Sequence, residues 1–275
     1  MKYKAIFCDF DGTIYRDDHT ISQTNKDAIK KYVDAGGIFI VSTGRLFSAI
    51  YPKTVELGLD KEVIVYQGGG IYDIKTKEQI FGQYFKKEDA VKALEYIESM
   101  GSEYVPLVYI NDICHAKEKN DYVDEFAKIC NVPYKTTGIP LSQYVANSKD
   151  KPVKALVLMQ GELCDSFVAK GNEDFPNLAF MRSHNFVVEI ITKGINKGLA
   201  VRWLCEKYGI STDEAIAMGD SENDIAMIET AGLGVAMGNA MPKVKQAADY
   251  IADTNDNDGV AKVIYKFCLN GEENE

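Results

Sequence analysis

The chain opens on a short apolar run, residues 3–8, that breaks off at two acidic residues, Asp9 and Asp11. Residues 22–34 then place Ala28, Ile29, Tyr32 and Val33 at helical spacing, with Ser22 positioned as a cap and Gly36-Gly37 as a stop. A second apolar run, 38–41, leads into Ser42-Thr43-Gly44-Arg45. A helical stretch follows over 46–57, and a third apolar run, 63–66, ends at Gln67. Strands that are apolar throughout are buried on both faces, so this alternation predicts a parallel sheet covered by helices.

After Gly68-Gly69-Gly70 the pattern changes. Residues 71–72 and 79–81 flank a polar turn and read as a hairpin. Between 84 and 190, helices are expected at 87–100, 122–130 and 163–170. Strands are expected at 105–110, 113–116, 153–159, 178–181 and 186–191, and the stretch 140–152 reads as irregular. Strands joined by short polar turns predict an antiparallel sheet with helices on one face. The alternation returns with a helix over 197–208, capped by Asn196 and ended by Gly209. Strand 215–218 runs into Gly219-Asp220. Helix 224–229, strand 233–236, helix 242–248, strand 250–251 and helix 260–269 follow, and the acidic end, 271–275, is expected to fray. The expected fold class is α/β: a doubly wound parallel-sheet (Rossmann-like) core, 1–83 and 191–275, with an inserted α+β cap domain, 84–190.

Composition narrows the function classes. With 275 residues and 46% hydrophobic positions there is enough chain for a sizeable core. A formal net charge of −10 opposes general binding to nucleic acid or anionic lipid, but leaves room for a small anionic substrate at a locally positive site. The apolar runs are too short for a signal peptide or a membrane span, which reads as a cytoplasmic protein with no membrane partner. The six cysteines are scattered without a Cys-x-x-Cys, as expected of reduced thiols, and the three histidines lack zinc-ligand spacing.

The polar strand ends carry the candidate chemistry. Asp9, Thr43, Gln67 and Asp220 all fall where predicted parallel strands finish, and ligands of doubly wound sheets bind in the crevice at those carboxyl ends. Asp9 and Asp11, two apart, can face one crevice. A carboxylate attacking a phosphate monoester must approach another anion, so a cation has to sit between them. Magnesium can do this with carboxylate oxygens of Asp9 and Asp220 and the backbone carbonyl of Asp11. Lys197 can neutralise further charge. Backbone N–H groups near Gly12 and Gly44, with the Thr43 hydroxyl, can cradle phosphoryl oxygens. Asp11 is then available as general acid and base.

Four segments, Asp9-Phe10-Asp11-Gly12-Thr13, Ser42-Thr43-Gly44-Arg45, Asn196-Lys197-Gly198 and Gly219-Asp220-Ser221-Glu222-Asn223-Asp224, resemble in order the four motifs of the haloacid dehalogenase-like hydrolases. The insert between the second and third motifs, with Val235 to Ala240 and Asp258-Gly259-Val260, resembles the Cof-type phosphatases of that family. The resemblance implies Asp9 as nucleophile and metal ligand, and Asp11 as acid/base that also gives the metal its main-chain oxygen. It implies phosphate binding by Thr43, Gly44, Lys197 and Asn223. Asp220 would be a metal ligand and Asp224 a support to the metal. Members often carry Asn-Gly-Ala after the third strand, whereas this chain has Gln67-Gly68-Gly69.

The expected activity is Mg2+-dependent hydrolysis of phosphate monoesters of small metabolites, sugar phosphates foremost, through an aspartyl-phosphate, in a monomer or weak homo-oligomer. A sugar phosphomutase would use the same phosphoryl chemistry. A non-catalytic sugar-phosphate regulator would be expected to have lost Asp9, Asp11, Lys197 or Asp220, and all four are present. Asn223 also reads as a plain helix cap, Arg45 as the partner of a surface carboxylate, and Cys8 as core. In the insert, His115, Lys117, Arg182 and His184 are candidates to reach a substrate, each with a plainer reading as a surface residue.

Overall fold

The computed structural model describes residues 1–130 and 132–269; the acidic end expected to fray lies outside the described residues. The chain divides into two units, Met1–Phe81 with Asn196–Glu275, and Gly82–Ile195.

The first unit begins with strand β1 (Ala5–Asp9), helix α1 (Gln23–Asp34), β2 (Ile38–Ser42), α2 (Phe47–Glu56), β3 (Glu62–Val65), β4 (Gly70–Asp73) and β5 (Gln79–Gly82). The second unit supplies α3 (Lys87–Ser99), β6 (Val105–Ile110), β7 (Ile113–Ala116), α4 (Asp121–Cys130), β8 (Tyr134–Thr136), α5 (Leu141–Asn147), β9 (Lys154–Leu158), α6 (Cys164–Asp174), β10 (Leu178–His184) and β11 (Val187–Thr192). The chain returns to the first unit with α7 (Lys197–Tyr208), β12 (Ala215–Gly219), α8 (Ile225–Ile228), β13 (Leu233–Ala236), α9 (Pro242–Ala247), β14 (Tyr250–Ile251) and α10 (Gly259–Phe267).

The first unit's sheet has the order β14-β13-β12-β1-β2-β3-β4-β5. Its strands run parallel from β14 to β3, and β4 turns back antiparallel to β3. The segments expected as a hairpin thus extend the edge of the main sheet. The chain builds outward from β1 in both directions, to β2 and β3 on one side and to β12 and β13 on the other, so β1 is the topological switch point. Register sets Asp9 beside Ser42 and Cys8 beside Met218. Alternation along β1 then sorts the side chains. Ala5 and Phe7 pack with Ile40, Ile64 and the Ala200, Val201 and Leu204 face of α7. Asp9 shares their parity and so faces the α7 side, while Cys8 has the opposite parity and is fully buried.

Local chemistry fixes the helix ends. The Ser22 hydroxyl accepts from the Asn25 N–H at 3.0 Å, and the Asn196 side chain accepts from the Leu199 N–H at 2.9 Å. Gly209 ends α7 in the left-handed region, at φ 64°.

The second unit is a six-stranded sheet, β10-β11-β9-β6-β7-β8. Ala90, Leu94 and Ile97 of α3, Leu141 and Val145 of α5 and Phe167 of α6 cover one face, against Val108, Ile110, Ala155, Val157, Val188 and Ile190. Two expectations are corrected. The stretch read as irregular contains α5, because Leu141, Tyr144 and Val145 fall at i, i+3 and i+4 behind Pro140, which precedes the first turn. The sheet is also not wholly antiparallel, since the short β8 pairs parallel with β7.

Gly198, the second residue of α7, marks how closely that helix meets α8. A Cβ there would lie 2.3 Å from the Ala226 carbonyl oxygen and 2.8 Å from the Thr230 hydroxyl. Gly198→Ala gains about 1 kcal/mol of helix propensity. It is nonetheless expected to destabilise the protein, because backbone cannot yield to that overlap without displacing α7, at a cost of roughly 1–3 kcal/mol beyond that gain. Urea unfolding of the purified variant measures the net loss.

Candidate active site

Three carboxylates and one ammonium meet at the end of β1. Lys197, the first residue of α7, is fully buried, and its Nζ donates to Asp9 Oδ1 and to Asp224 Oδ1, each at 2.5 Å. Asp9 is 6% exposed and Asp224 is fully buried. One oxygen from each of Asp9, Asp220 and Asp224 lies within 4.8 Å of the others. Asp220 is braced by the Ser221 hydroxyl at 3.0 Å and the Thr13 hydroxyl at 3.2 Å. Asp224 is engaged through both oxygens: Oδ1 takes Lys197, and Oδ2 accepts the N–H groups of Asp220 and Ser221, both at 3.0 Å. It therefore pins the 220–221 turn to the lysine.

The electrostatics follow from this crowding. Burial pushes the Asp9 carboxyl well above the ordinary carboxylate range; Asp224 adds to the rise and Lys197 opposes it. Burial, reinforced by Asp224, raises Asp220 to about 6. Burial alone would lower the Lys197 ammonium, but Asp224 and Asp9 hold it above its ordinary value. With all four groups ionised the cluster keeps two negative charges in excess, in a place where buried charge must be paired. Oxygen donors with that excess fit a small divalent cation: Asp9 and Asp220, the latter held only by hydroxyls, keep lone pairs for a ligand role, whereas Asp224 is committed to Lys197 and two backbone N–H groups.

The loops around this cluster are tightly set. Gly12, at φ +77°, lies against Asp220, where a Cβ would come within 2.7 Å of Oδ2. Asn239 Nδ2 donates to the Gly12 carbonyl at 2.8 Å. Asp11 stands outside the buried cluster, its side chain half exposed, and takes both arms of Arg45 at 2.6 and 2.8 Å. The guanidinium stacks in turn over Phe10 and Tyr15. Arg45 thus pairs with a site carboxylate rather than an incidental surface one.

Thr43 is buried, and its hydroxyl accepts from the Arg45 N–H at 3.2 Å. Asn223 Nδ2 donates to Gln67 Oε1 at 2.9 Å. Ser221, not Asn223, stands at the N-cap position of that turn. Tyr66 and Gln67 are both left-handed, at φ 54° and 58°. Such a conformation costs a non-glycine residue about 1–3 kcal/mol and persists only where surroundings enforce it.

The structure therefore gathers Asp9, Lys197, Asp220 and Asp224 into one cluster. It sets Asp11 beside that cluster on the following loop and links Asn223 to the Thr43-Gly44 strand end through Gln67. Gln67, Thr13, Ser221 and Asn239 lie in the site without having been assigned roles from the motifs. Thr13 and Ser221 are hydroxyls inside the two acidic motifs, Gln67 is a polar strand end and Asn239 lies in the 235–240 segment, so their positions were marked in the sequence while their partners were not. In the second unit, His115 is buried rather than at the surface, its Nδ1 3.1 Å from the Ile113 carbonyl and its Nε2 3.2 Å from the Tyr144 hydroxyl. Lys117 is exposed, Arg182 pairs with Asp165 at 3.0 Å, and the His184 side chain lies outside the described residues.

A buried acid–lysine cluster at the switch point of a doubly wound sheet, with an α+β unit inserted into the chain, defines a hydrolase of the Rossmann-like kind. The model for haloacid dehalogenase-like hydrolases matches residues 6–264, and the chain belongs to that family. It is 32% identical over 268 residues to the Bacillus subtilis 5-amino-6-(5-phospho-D-ribitylamino)uracil phosphatase YcsE, covering 97% of this chain and 96% of that protein. Among solved structures, a haloacid dehalogenase-like hydrolase from Bacteroides thetaiotaomicron superposes with a TM-score of 0.85 at 29% identity, covering 96% of this chain and 99% of that one. A Thermotoga maritima protein superposes equally well at 28% identity, over 96% and 97% of the two chains.

Among the described residues, Lys197 supplies the ammonium bonded within the cluster of Asp9, Asp220 and Asp224. Lys197→Met keeps the length of the side chain and removes that charge. It is expected to destabilise the protein by about 3–5 kcal/mol at neutral pH, because it strands buried carboxylates. Urea unfolding in chelator checks the value, and added divalent cation is expected to restore part of the loss.

Proposed function

We propose that this protein hydrolyses phosphate monoesters of small metabolites, sugar phosphates foremost, in a magnesium-dependent reaction through an aspartyl-phosphate. The observation that carries the reading is Asp9, buried and bonded to Lys197 beside Asp220 at the switch point of the sheet. Bound between Asp9, Asp220 and the main-chain oxygen of Asp11, Mg2+ would screen the approach of carboxylate to phosphate.

The residues divide the work as follows. Lys197 holds one Asp9 oxygen, which fixes the carboxylate and leaves the other oxygen to attack phosphorus. As the Asp9 O–P bond forms, the bond from phosphorus to the alcohol oxygen breaks, and Asp11 gives that oxygen its proton. Arg45 grips both Asp11 oxygens in this structure, so the proton-carrying form requires one arm of that bond to open. In the second half, Asp11 takes a proton from water as the water oxygen attacks phosphorus. The Asp9 O–P bond then breaks, returning the free carboxylate and releasing inorganic phosphate. The Thr43 hydroxyl, the Gly44 N–H, Lys197 and Asn223 receive the phosphoryl oxygens. Asp224 supports the metal by fixing the 220–221 turn and Lys197. The 82–195 unit takes the part of the inserted cap. The named substrate of the Bacillus relative is a ribityl phosphate, which supports a polyol-like leaving alcohol here.

A phosphate-release screen over sugar phosphates, ribityl phosphates, nucleotides and cofactor phosphates with Mg2+ tests the reading directly; silence across the panel would refute it. Asp9→Asn is expected to lower turnover by more than roughly 10³-fold while leaving the far-UV circular dichroism spectrum unchanged. Near-wild-type rates in that variant would remove Asp9 as nucleophile. Chelation is expected to abolish activity and added Mg2+ to restore it, so turnover that survives chelator would eliminate the metal from the scheme.

A further inference from the structure

Gln67 has no part in the reaction as proposed, yet its turn touches three of the segments that carry it. The Gln67 N–H donates to the Thr43 carbonyl at 3.1 Å, and the Tyr66 N–H to the Arg45 carbonyl at 3.2 Å. The Gln67 side chain packs against Gly44: a Cβ on Gly44 would fall 2.4 Å from Gln67 Nε2. Gly68, at φ +93°, presses on the Asn196 carbonyl that precedes Lys197, where a Cβ would fall at 2.2 Å. Gln67 Oε1 also accepts from Asn223 Nδ2 at 2.9 Å. Among the described residues Asn223 Oδ1 is buried and accepts nothing. The bond to Gln67 therefore decides which way the Asn223 carboxamide faces.

We propose that Gln67 is a positioning residue for phosphoryl recognition, holding the Asn223 carboxamide in fixed register with the Thr43-Gly44 backbone; this rests on the phosphatase reading given above. An asparagine NH2 has two N–H groups. Giving one to Gln67 fixes the rotamer and leaves the other for a phosphoryl oxygen. The ordering that a free side chain would undergo on binding is then completed during folding. The two left-handed residues, Tyr66 and Gln67, make this possible, because they turn the Gln67 side chain back across the strand ends instead of along β4.

The test uses the full-length, magnesium-loaded protein with p-nitrophenyl phosphate as substrate and inorganic phosphate as competitive inhibitor. Gln67→Ala is expected to raise KM and the phosphate inhibition constant about tenfold each, with kcat changed much less. Asn223→Ala is expected to do the same, and the double variant to be no worse than Asn223→Ala alone, because both changes remove one interaction. Gln67→Met preserves side-chain length and packing over Gly44 but offers no Oε1. It should reproduce the rise in KM and in the phosphate inhibition constant with kcat near wild type, a split that a merely structural role would not give. KM and inhibition constants within twofold of wild type in Gln67→Met, or losses that multiply in the double variant, would overturn the inference while leaving the phosphatase reading intact. Wild-type protein without magnesium-dependent hydrolysis, or with hydrolysis that survives Asp9→Asn, would defeat the phosphatase reading and this inference with it.

Discussion

A fully buried ammonium holds this site together. Lys197 reaches Asp9 and Asp224 at hydrogen-bond distance, with Lys197 and Asp224 fully buried and Asp9 nearly so. Such an arrangement is expensive, since each ion loses hydration that its partner only partly replaces. It becomes tolerable because the surroundings add further partners: two backbone N–H groups on Asp224, and hydroxyls from Thr13 and Ser221 on Asp220. The lysine must also arrive from a fixed direction. That is why it opens a helix capped by Asn196 and packed without side-chain spacing at Gly198.

The sheet delivers the remaining groups to the same edge. Chain order reverses at β1, so the crevice above its carboxyl end is flanked by β2 on one side and β12 on the other. Register then brings Ser42 alongside Asp9 and Gly219 just beyond Met218. Side-chain parity decides the rest. Asp9 follows Ala5 and Phe7 toward α7, where Lys197 waits, and the neighbouring Cys8 thiol points to the other face, buried and outside the acid cluster.

Much of this was legible from the residues alone, for physical reasons. Continuous apolar runs announce strands covered on both faces, and a polar residue at the end of each marks the functional edge, so Asp9, Thr43 and Asp220 stand out. What the sequence does not expose is pairing across large separations. Nothing in Arg45 says that it clamps Asp11, nothing in Gln67 says that it reaches Asn223, and a lysine at a helix start reads as solvated until the packing around it is known. In the second unit the misses are local ones. A seven-residue helix behind a proline and a three-residue strand lie near the lower limit of what periodicity can signal.

Several departures from local rules gather around one small volume. Three carboxylates crowd together, Tyr66 and Gln67 are left-handed, and Gly12 and Gly68 let backbone or carboxylate come closer than any Cβ allows. Elsewhere the sequence and the fold agree: Ser22 and Asn196 cap, Gly209 terminates, and the α7 face matches the β-strand parity beneath it. Conflict gathered in this way is what natural sequences show when strain serves a site. Relaxing it would require moving the 66–68 turn, the start of α7 and β1 together, because the turn packs on the Asn196 carbonyl and Lys197 bonds to Asp9. The rigidity of the site is thus a property of that series of contacts rather than of any one residue in it.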